Sequence, residues 1–496
     1  MHVSDDLMAE QPGKSAVEEP AASPKAPRKQ SFKGTGFLRL WTGESVSLAG
    51  TEITFMAMSI IAVTTLAATP WQMGVLEAAE SAAVLLLGLS AGVWADRYER
   101  RRIMLVANLA RSALVLAIPV LFWLDLLSMT VLYAVVFLVG ALSLLFDSAM
   151  SAYLPRLLPR SQLERANSWM EGSASVGMVA GPGLAGILVQ IVSAPIALIV
   201  DSVSYLVSYA ALSRLPKAPP SADPAEDADD ADGKPVPPVR EEPVQPVQQE
   251  PDGPAAGLTP VTPPVGPPKE THRAEVLKGL RVLRHDPIQR PMTLAAAHFN
   301  IFHSMFFAVN VLFLLKVLDF SPGLLGITSM AGGAAGLVGA SCTPFLTRRL
   351  GQGPALIAVY AVPGLAAVLV PLAAGADRAL AIVLVSVSTF GYTFAVVVNL
   401  VISDTVKQTL VPDHLLGRVT ASTRFISWGV QPIGALLGGW LGGWLGLVEV
   451  MVLASVGLVA SALWPLLSPV RTLITLPDSE TDEAGAAQDE GSGRSA

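Results

Sequence analysis

Residues 73–123 read MGVLEAAESAAVLLLGLSAGVWADRYERRRIMLVANLARSALVLAIPVLFW. Two apolar runs, 73–94 and 103–123, flank one short charged loop. At about 1.5 Å of rise per residue, each run is long enough as a helix to cross the roughly 30 Å of hydrocarbon in a bilayer. In that medium a spanning segment must satisfy its own backbone groups, which a helix does. The stretch therefore predicts two membrane helices joined by a basic turn.

The pattern recurs outward in both directions. Apolar segments fall at 40–66, 128–150, 167–191 and 194–213. After a gap they resume at 291–317, 322–346, 354–374, 379–403, 419–444 and 447–467. This predicts an all-α membrane protein of about 12 transmembrane helices in two six-helix bundles. Of the 496 residues, 52% are hydrophobic and 15% charged, and the mean hydropathy is +0.52. A soluble chain would carry roughly 25% charged residues, so the composition excludes an ordinary soluble enzyme and a nucleic-acid binder. A single cysteine, Cys342, excludes an internal disulfide and a cysteine-based metal site.

Charge divides the chain further. The net charge is −7, yet residues 216–270 alone carry −7 together with 16 prolines, and residues 472–496 carry −5. Such segments cannot bury enough apolar surface to fold. The expected organisation is a disordered cytoplasmic tail at 1–35, without the apolar core of a signal peptide, and a first bundle at 36–215. A disordered Pro- and acid-rich linker follows at 216–270, then an amphipathic segment and second bundle at 271–470, and a disordered acidic tail at 471–496. Within 271–290, Val276, Leu280 and Leu283 alternate with Lys278, Arg281 and Arg284, as in a helix lying on a membrane face. With the N-terminus inside, the outer loops hold only Lys316 and Arg378 of the 33 basic residues. This asymmetry predicts a multi-pass protein of the cell (inner or plasma) membrane with both termini and the linker in the cytoplasm.

The halves echo one another. Ala-Gly-Pro-Gly-Leu-Ala-Gly (180–186) in the fifth span is matched by Gln-Pro-Ile-Gly-Ala-Leu-Leu-Gly-Gly (431–439) in the eleventh. A Pro-Gly kink at corresponding places marks a transporter repeat. The loop between the second and third spans reads Gly92-Val-Trp-Ala-Asp96-Arg97-Tyr-Glu-Arg100-Arg101-Arg102. Gly allows close packing, Asp caps a helix or pairs with an Arg, and the arginines hold the loop at anionic lipid. Taken alone, it is also an ordinary positive loop.

With this loop the chain resembles the major facilitator superfamily, whose signature loop has this pattern in this place. Phe146-Asp147, Tyr153-Leu-Pro155, Glu164-Arg-Ala-Asn167-Ser168, Asp201 to Ser208, Leu416 to Ser422 and Trp428 to Ala435 are similar to one branch of it. That branch includes bacterial macrolide efflux pumps and the enterobactin exporter. The resemblance covers about 37–215 and 272–470. It implies the major facilitator fold and alternating access, with gating residues at Gly92, Asp96, Arg97, Arg100, Arg101 and Arg418. The second-half counterpart, Thr343 to Arg349, lacks the Asp. Gly177-x-x-x-Gly181-Pro182-x-x-Ala185-Gly186 is similar to the fifth-helix motif of the superfamily's antiporters. Small residues four apart let helices touch, and Pro182 bends the helix, so Gly181, Pro182 and Gly186 join the gating set; simple close packing explains them as well.

Charges inside spans are costly unless paired or hydrated. Glu52 lies near the middle of the first span, where a carboxyl can change protonation as access alternates. Arg111 and Asp147 sit at similar depth and can pair; Asp201 suits helix-packing hydrogen bonds. Glu77 and Glu80, near an outer helix end, read as solvated. Asn300, His303, Phe307 and Asn310 share one arc of the seventh span, and Tyr392 and Asn399 one of the tenth. With Phe55, Trp428 and Gln431 they are the expected lining of a substrate cavity, interhelical hydrogen bonding being the plainer account.

Gly88-Leu-Ser90-Ala-Gly92 and Gly181 to Gly186 match soluble-enzyme patterns but follow no strand, and no phosphate-binding loop for ATP is present. The expectation is no enzyme, no metal and no cofactor besides a proton gradient. The expected protein is a monomer exporting a small amphiphilic molecule, such as a drug, secondary metabolite or siderophore, with the lipid bilayer as its other partner and no nucleic acid. Nutrient uptake, or a transporter-like sensor built around the linker, are the alternatives.

Overall fold

The computed structural model describes residues 32, 35–215, 281 and 283–474, with only the backbone of 89–97, 160, 178–179 and 413–414. The linker at 216–270 and most of the expected surface helix at 271–290 lie outside the described residues. The first half consists of α1 (Phe37–Thr64), α2 (Pro70–Arg97), α3 (Arg100–Trp123), α4 (Met129–Leu157), α5 (Arg160–Val192) and α6 (Ala194–Ser213). The second holds α7 (Gln289–Lys316), α8 (Pro322–Leu350), α9 (Gln352–Gly375), α10 (Arg378–Leu410), α11 (Asp413–Gly429), α12 (Gln431–Trp444) and α13 (Leu447–Leu466). Val430 alone separates α11 from α12, where Pro432 near the new start forces a break.

Among the described residues no strand occurs. Nine helices there are long and apolar enough to cross a membrane, or ten if the two parts of α5, bent by 40°, count as one span. Outward faces carry bare Leu and Val, such as Leu86, Val106, Leu109 and Leu400. In water such a belt would drive association; against hydrocarbon it is matched. At one end, Ser128, Ser321 and Asp377 accept from Val131, Leu324 and Leu380 N–H at 3.5, 3.3 and 2.9 Å, capping α4, α8 and α10.

With α11 and α12 taken as one bent element, the halves pack alike. The first helix of each lies on its fifth and sixth, the second on its fourth, and the third on its fourth and sixth. Between halves, the fifth element of one meets the second of the other: α5 on α8, and α2 on α12. The halves differ in what fills them. Buried Asn108, Arg111, Ser112, Asp201, Ser202 and Ser208 thread the first, whereas Phe306, Phe313, Val385, Met451 and Leu458 fill the second.

Two boundaries shift from expectation. Phe32, assigned to the tail at 1–35, is buried, 4.4 Å from the Phe37 ring and 5.4 Å from the Trp169 ring, with Arg165 above it. Leu473, assigned to the acidic tail, accepts from Gly353 N–H at 2.7 Å at the start of α9. In both expected tails the described residues nearest the bundle pack against it. Leu283, expected on the membrane face, is buried beside Val411 and Val419.

Candidate functional site

One face of α1 carries Glu44, Ser47, Thr51 and Thr54 at helical spacing, turned toward α6. Asp201 of α6 is fully buried; it accepts from the Thr54 hydroxyl and from Ser204 Oγ at 2.8 Å. Gly50 makes the approach possible, since a Cβ there would lie 2.2 Å from both Asp201 Oδ1 and Ser204 Oγ. Thr51 Oγ1 and the Tyr205 hydroxyl stand 3.0 Å apart.

Arg111 of α3 is buried and does not form the direct ion pair expected with Asp147. It donates to Asn108 Oδ1 and, at 3.2 Å, to Ser143 Oγ. Its guanidinium carbon stands 4.5 Å from the Phe146 ring centre and 4.6 Å from that of Tyr205. Two neutral acceptors take one donor from each terminal nitrogen, Nε–H has no hydrogen bond, and two rings take the faces, which suits a weakly hydrated cation. Asp147 is exposed and within electrostatic reach of Arg111. Glu44, overlooked in the sequence, is buried within reach of both, and its Oε2 has no hydrogen bond. The signal for it was present: it begins the polar stripe that ends at Thr54.

Glu52 lies on another face of α1, half-buried against α5. A Cβ on Gly181 would lie 2.5 Å from Glu52 Cβ, so this glycine seats the glutamate. Nearby is a cavity of about 240 Å³ whose walls include Phe55, Met73, Glu77, Glu80, Phe307 and Val311. It therefore lies between the halves. Glu77 and Glu80, expected to be solvated at a helix end, belong to its wall, because their spacing of three puts both on the face α2 turns inward. Glu80 is within electrostatic reach of Glu77 and Glu52. Among the described residues none of the three carboxylates has an ion-pair partner.

Of the residues expected to line a cavity, Phe55 and Phe307 line this one. His303 stands behind Phe307, ring centres 4.6 Å apart, and hydrogen-bonds through Nδ1 to the Tyr392 hydroxyl. Asn300 accepts from Gln431 Nε2 at 3.2 Å, tying α7 to the start of α12. Asn310 is half-buried on α7 beyond Phe307. Asn399 and Trp428 lie outside the cavity wall: the first accepts from Ser403 at 3.3 Å, and the second is exposed under Arg424 at 5.7 Å.

At the end of the bundle holding the 65–69 turn, glycines close the seam. A Cβ on Gly186 would lie 2.5 Å from Gly326 Cα, and one on Gly326 would lie 2.9 Å from the Pro182 carbonyl oxygen. Gln190 Oε1 accepts from Gly323 N–H at 3.1 Å. Across the molecule a Cβ on Gly74 would lie 2.8 Å from Gly439 Cα. Such contacts need small residues on both helices. Arg101 is engaged elsewhere, donating to the Leu212 and Ser213 carbonyls at 3.2 and 2.6 Å and so holding the end of α6. Arg100 and Arg418 are half-buried, each with an interaction partner. Of Gly92, Asp96 and Arg97 only the backbone, at the end of α2, is described. Among the described residues no three His, Cys, Asp or Glu side chains gather as a metal site.

Against this geometry stand the likenesses to known proteins. The family model described as Major Facilitator Superfamily matches residues 40–430. The multidrug efflux pump Tap of Mycolicibacterium fortuitum is 24% identical over 374 residues, covering 73% of this chain and 79% of that protein. The uncharacterized MFS-type transporter YfiS of Bacillus subtilis (strain 168) is 25% identical over 182 residues, 37% of this chain and 42% of the other. In fold, the nucleoside transporter NupG superposes with TM-score 0.62 at 10% identity, over 87% of this chain and 98% of that one. A bacterial homolog of the human lysosomal transporter Spinster, inward-facing and occupied, gives 0.61 at 13%, over 88% and 97%.

Proposed function

The chain belongs to the Major Facilitator Superfamily, and on that premise we propose that it is a proton-coupled exporter of a small amphiphilic molecule, working as a monomer by alternating access. In this reading α2 and the α11–α12 pair complete twelve spans, and the Lys/Arg asymmetry makes the 65–69 end the outer one. The observation that carries the proposal is the cavity between the halves, whose wall combines Phe55 and Phe307 with Glu77 and Glu80, together with the glycine seam at the 65–69 end. Rings take an apolar body, and carboxylates take a positive charge or a proton. Likeness to an efflux pump supports export over uptake.

The coupling follows from the cost of an unpaired buried charge. With the outer end closed, the carboxylates of Glu52, Glu77 and Glu80 meet the cytoplasm, release protons and attract the solute. A loaded carrier can then occlude and reopen outward, because solute and carboxylate offset one another. Outside, protons displace the solute, and the protonated carrier returns. An empty, ionised cavity cannot occlude without a large penalty, so net export of solute requires the return of protons.

Everted vesicles test this. Acidifying their interior should drive inward accumulation of a fluorescent amphiphilic quaternary ammonium in vesicles from cells bearing the protein, beyond that in vesicles from cells without it. Accumulation in right-side-out vesicles instead would establish uptake. Deleting residues 218–268 should leave transport intact; its loss would favour the linker-centred sensor.

A further inference from the structure

We propose that the groove at the start of α7 binds an anionic phospholipid of the leaflet at that end of the bundle. The groove has a volume of about 650 Å³ and runs between α7 and α13. Its two ends differ in chemistry. One holds Arg284 and Arg290, both exposed. The other is apolar, walled by Leu294, Leu463, Trp464 and Leu467. Leu463 and Leu467 are among the more exposed apolar side chains of the chain.

Both arginines are available. Among the described residues neither guanidinium has a hydrogen bond or an ion pair. The carboxylate beside them, Asp286, is occupied: its Oδ1 accepts from the N–H groups of Ile288 and Gln289, at 2.8 Å each, where α7 begins. His285 is also turned to backbone, its Nδ1 lying 2.9 Å from the Arg281 carbonyl oxygen. Two cations therefore line the groove without an ion-pair partner, beside the helix-capping carboxylate of Asp286.

The apolar wall is built, not incidental. An indole N–H only donates, so Trp464 Nε1 donates to His298 Nδ1 at 3.4 Å. This leaves His298 Nε2–H to donate to the Gly457 carbonyl at 2.9 Å. Trp464 is thereby tied across to α7 as the groove's floor. Guanidinium at a membrane surface, continued by an apolar slot between helices, complements a phosphate with an acyl chain attached. A free phosphate would use the arginines and leave the slot unfilled. The inference rests on the chain's place in the bilayer and not on the direction of transport.

The test uses the purified full-length protein in detergent, with phosphatidylglycerol and phosphatidylcholine added in equal amounts and bound lipid counted by native mass spectrometry. Wild type should retain phosphatidylglycerol preferentially. Arg284→Gln/Arg290→Gln should weaken that retention on the order of tenfold, leave phosphatidylcholine unchanged and keep the thermal midpoint, both residues being exposed. Arg284→Lys/Arg290→Lys should retain most of it. Brominated phosphatidylglycerol should quench a fluorescence component that Trp464→Phe removes. Equal retention of the two lipids by wild type, an unchanged preference in the double Gln variant, or displacement of the lipid by inorganic phosphate would each overturn the proposal. Export activity in a protein without lipid preference would sink this inference alone.

Discussion

No side-chain atom separates Gly186 from Gly326: a Cβ on the first would lie 2.5 Å from the Cα of the second. Gly74 and Gly439 form the matching contact between α2 and α12. Bulk at either place must part the helices. Gly186→Val should therefore destabilise the closed 65–69 end by about 1–3 kcal/mol, shifting the carrier toward its other state. Spin labels at Ala67 and Asp319, in a Cys342→Ser background, read this as a longer distance. An unchanged distance distribution would mean that the seam is not the gate.

Energy coupling is tested at two carboxylates. Glu80→Gln and Glu52→Gln imitate a permanently protonated side chain. If the group carries the proton, substrate exchange should persist in proteoliposomes, while uphill pH-driven export fails. Glu52→Asp should keep partial coupling, since its carboxyl is drawn back by about one methylene. Full uphill export by both Gln variants would remove these residues and turn attention to Glu44 and Asp147.

Asp201 has a different expected phenotype. Asp201→Ala leaves the Thr54 hydroxyl buried without its acceptor, while Ser204 keeps the residue-201 carbonyl, and the orphaned hydroxyl costs about 1–3 kcal/mol. Its thermal midpoint should fall, with pH-driven coupling retained in the folded fraction. Loss of coupling at an unchanged midpoint would assign Asp201 to the proton path.

Asp96→Asn keeps size and removes charge. Transport should drop severalfold, with insertion and thermal midpoint unchanged, if Asp96 holds the cytoplasmic gate by pairing with a helix start or an Arg near Arg418. Transport at the wild-type rate would leave the loop a topology signal only.

Orientation is open to a direct measurement. Reporter fusions at Pro70 and Asp319 should report the outside, and one at Gln245 the cytoplasm. An outside signal at Gln245 would overturn the six-plus-six arrangement.

Most helices were legible because bilayer-length apolar runs are self-contained signals: α6, expected at 194–213, is found there. The Pro-Gly repeat likewise pointed to the glycine seam. Partners were harder to foresee. Depth along a helix comes from counting residues, whereas direction around it depends on which neighbour packs there. Hence Arg111 and Asp147, matched in depth, do not pair, because Phe146, Tyr205, Asn108 and Ser143 claim the guanidinium. Nearness to a helix end reads Glu77 and Glu80 as solvated, yet α2 turns them to the cavity. Asn399 shares an arc with Tyr392 but hydrogen-bonds within its own helix. Tail boundaries slipped for a related reason: composition averages over a window, and one Phe32 anchors residues that the average assigns to solvent.

The glycines of α12 bear on speed. Gly434 and Gly438 sit against the backbone of Ile301 and Met305, while Gly439 sits against Pro70 and Gly74. A helix that meets α7 and α2 through bare backbone presents few rotamers to freeze when a contact forms and few to release when it breaks. Ordering a long side chain costs up to about 2 kcal/mol, and an interlocked seam would meet that cost on every closure. Here the surfaces can separate and re-form with little reordering. In the proposed cycle such a seam would act as a smooth bearing, leaving the turnover rate to proton and solute exchange.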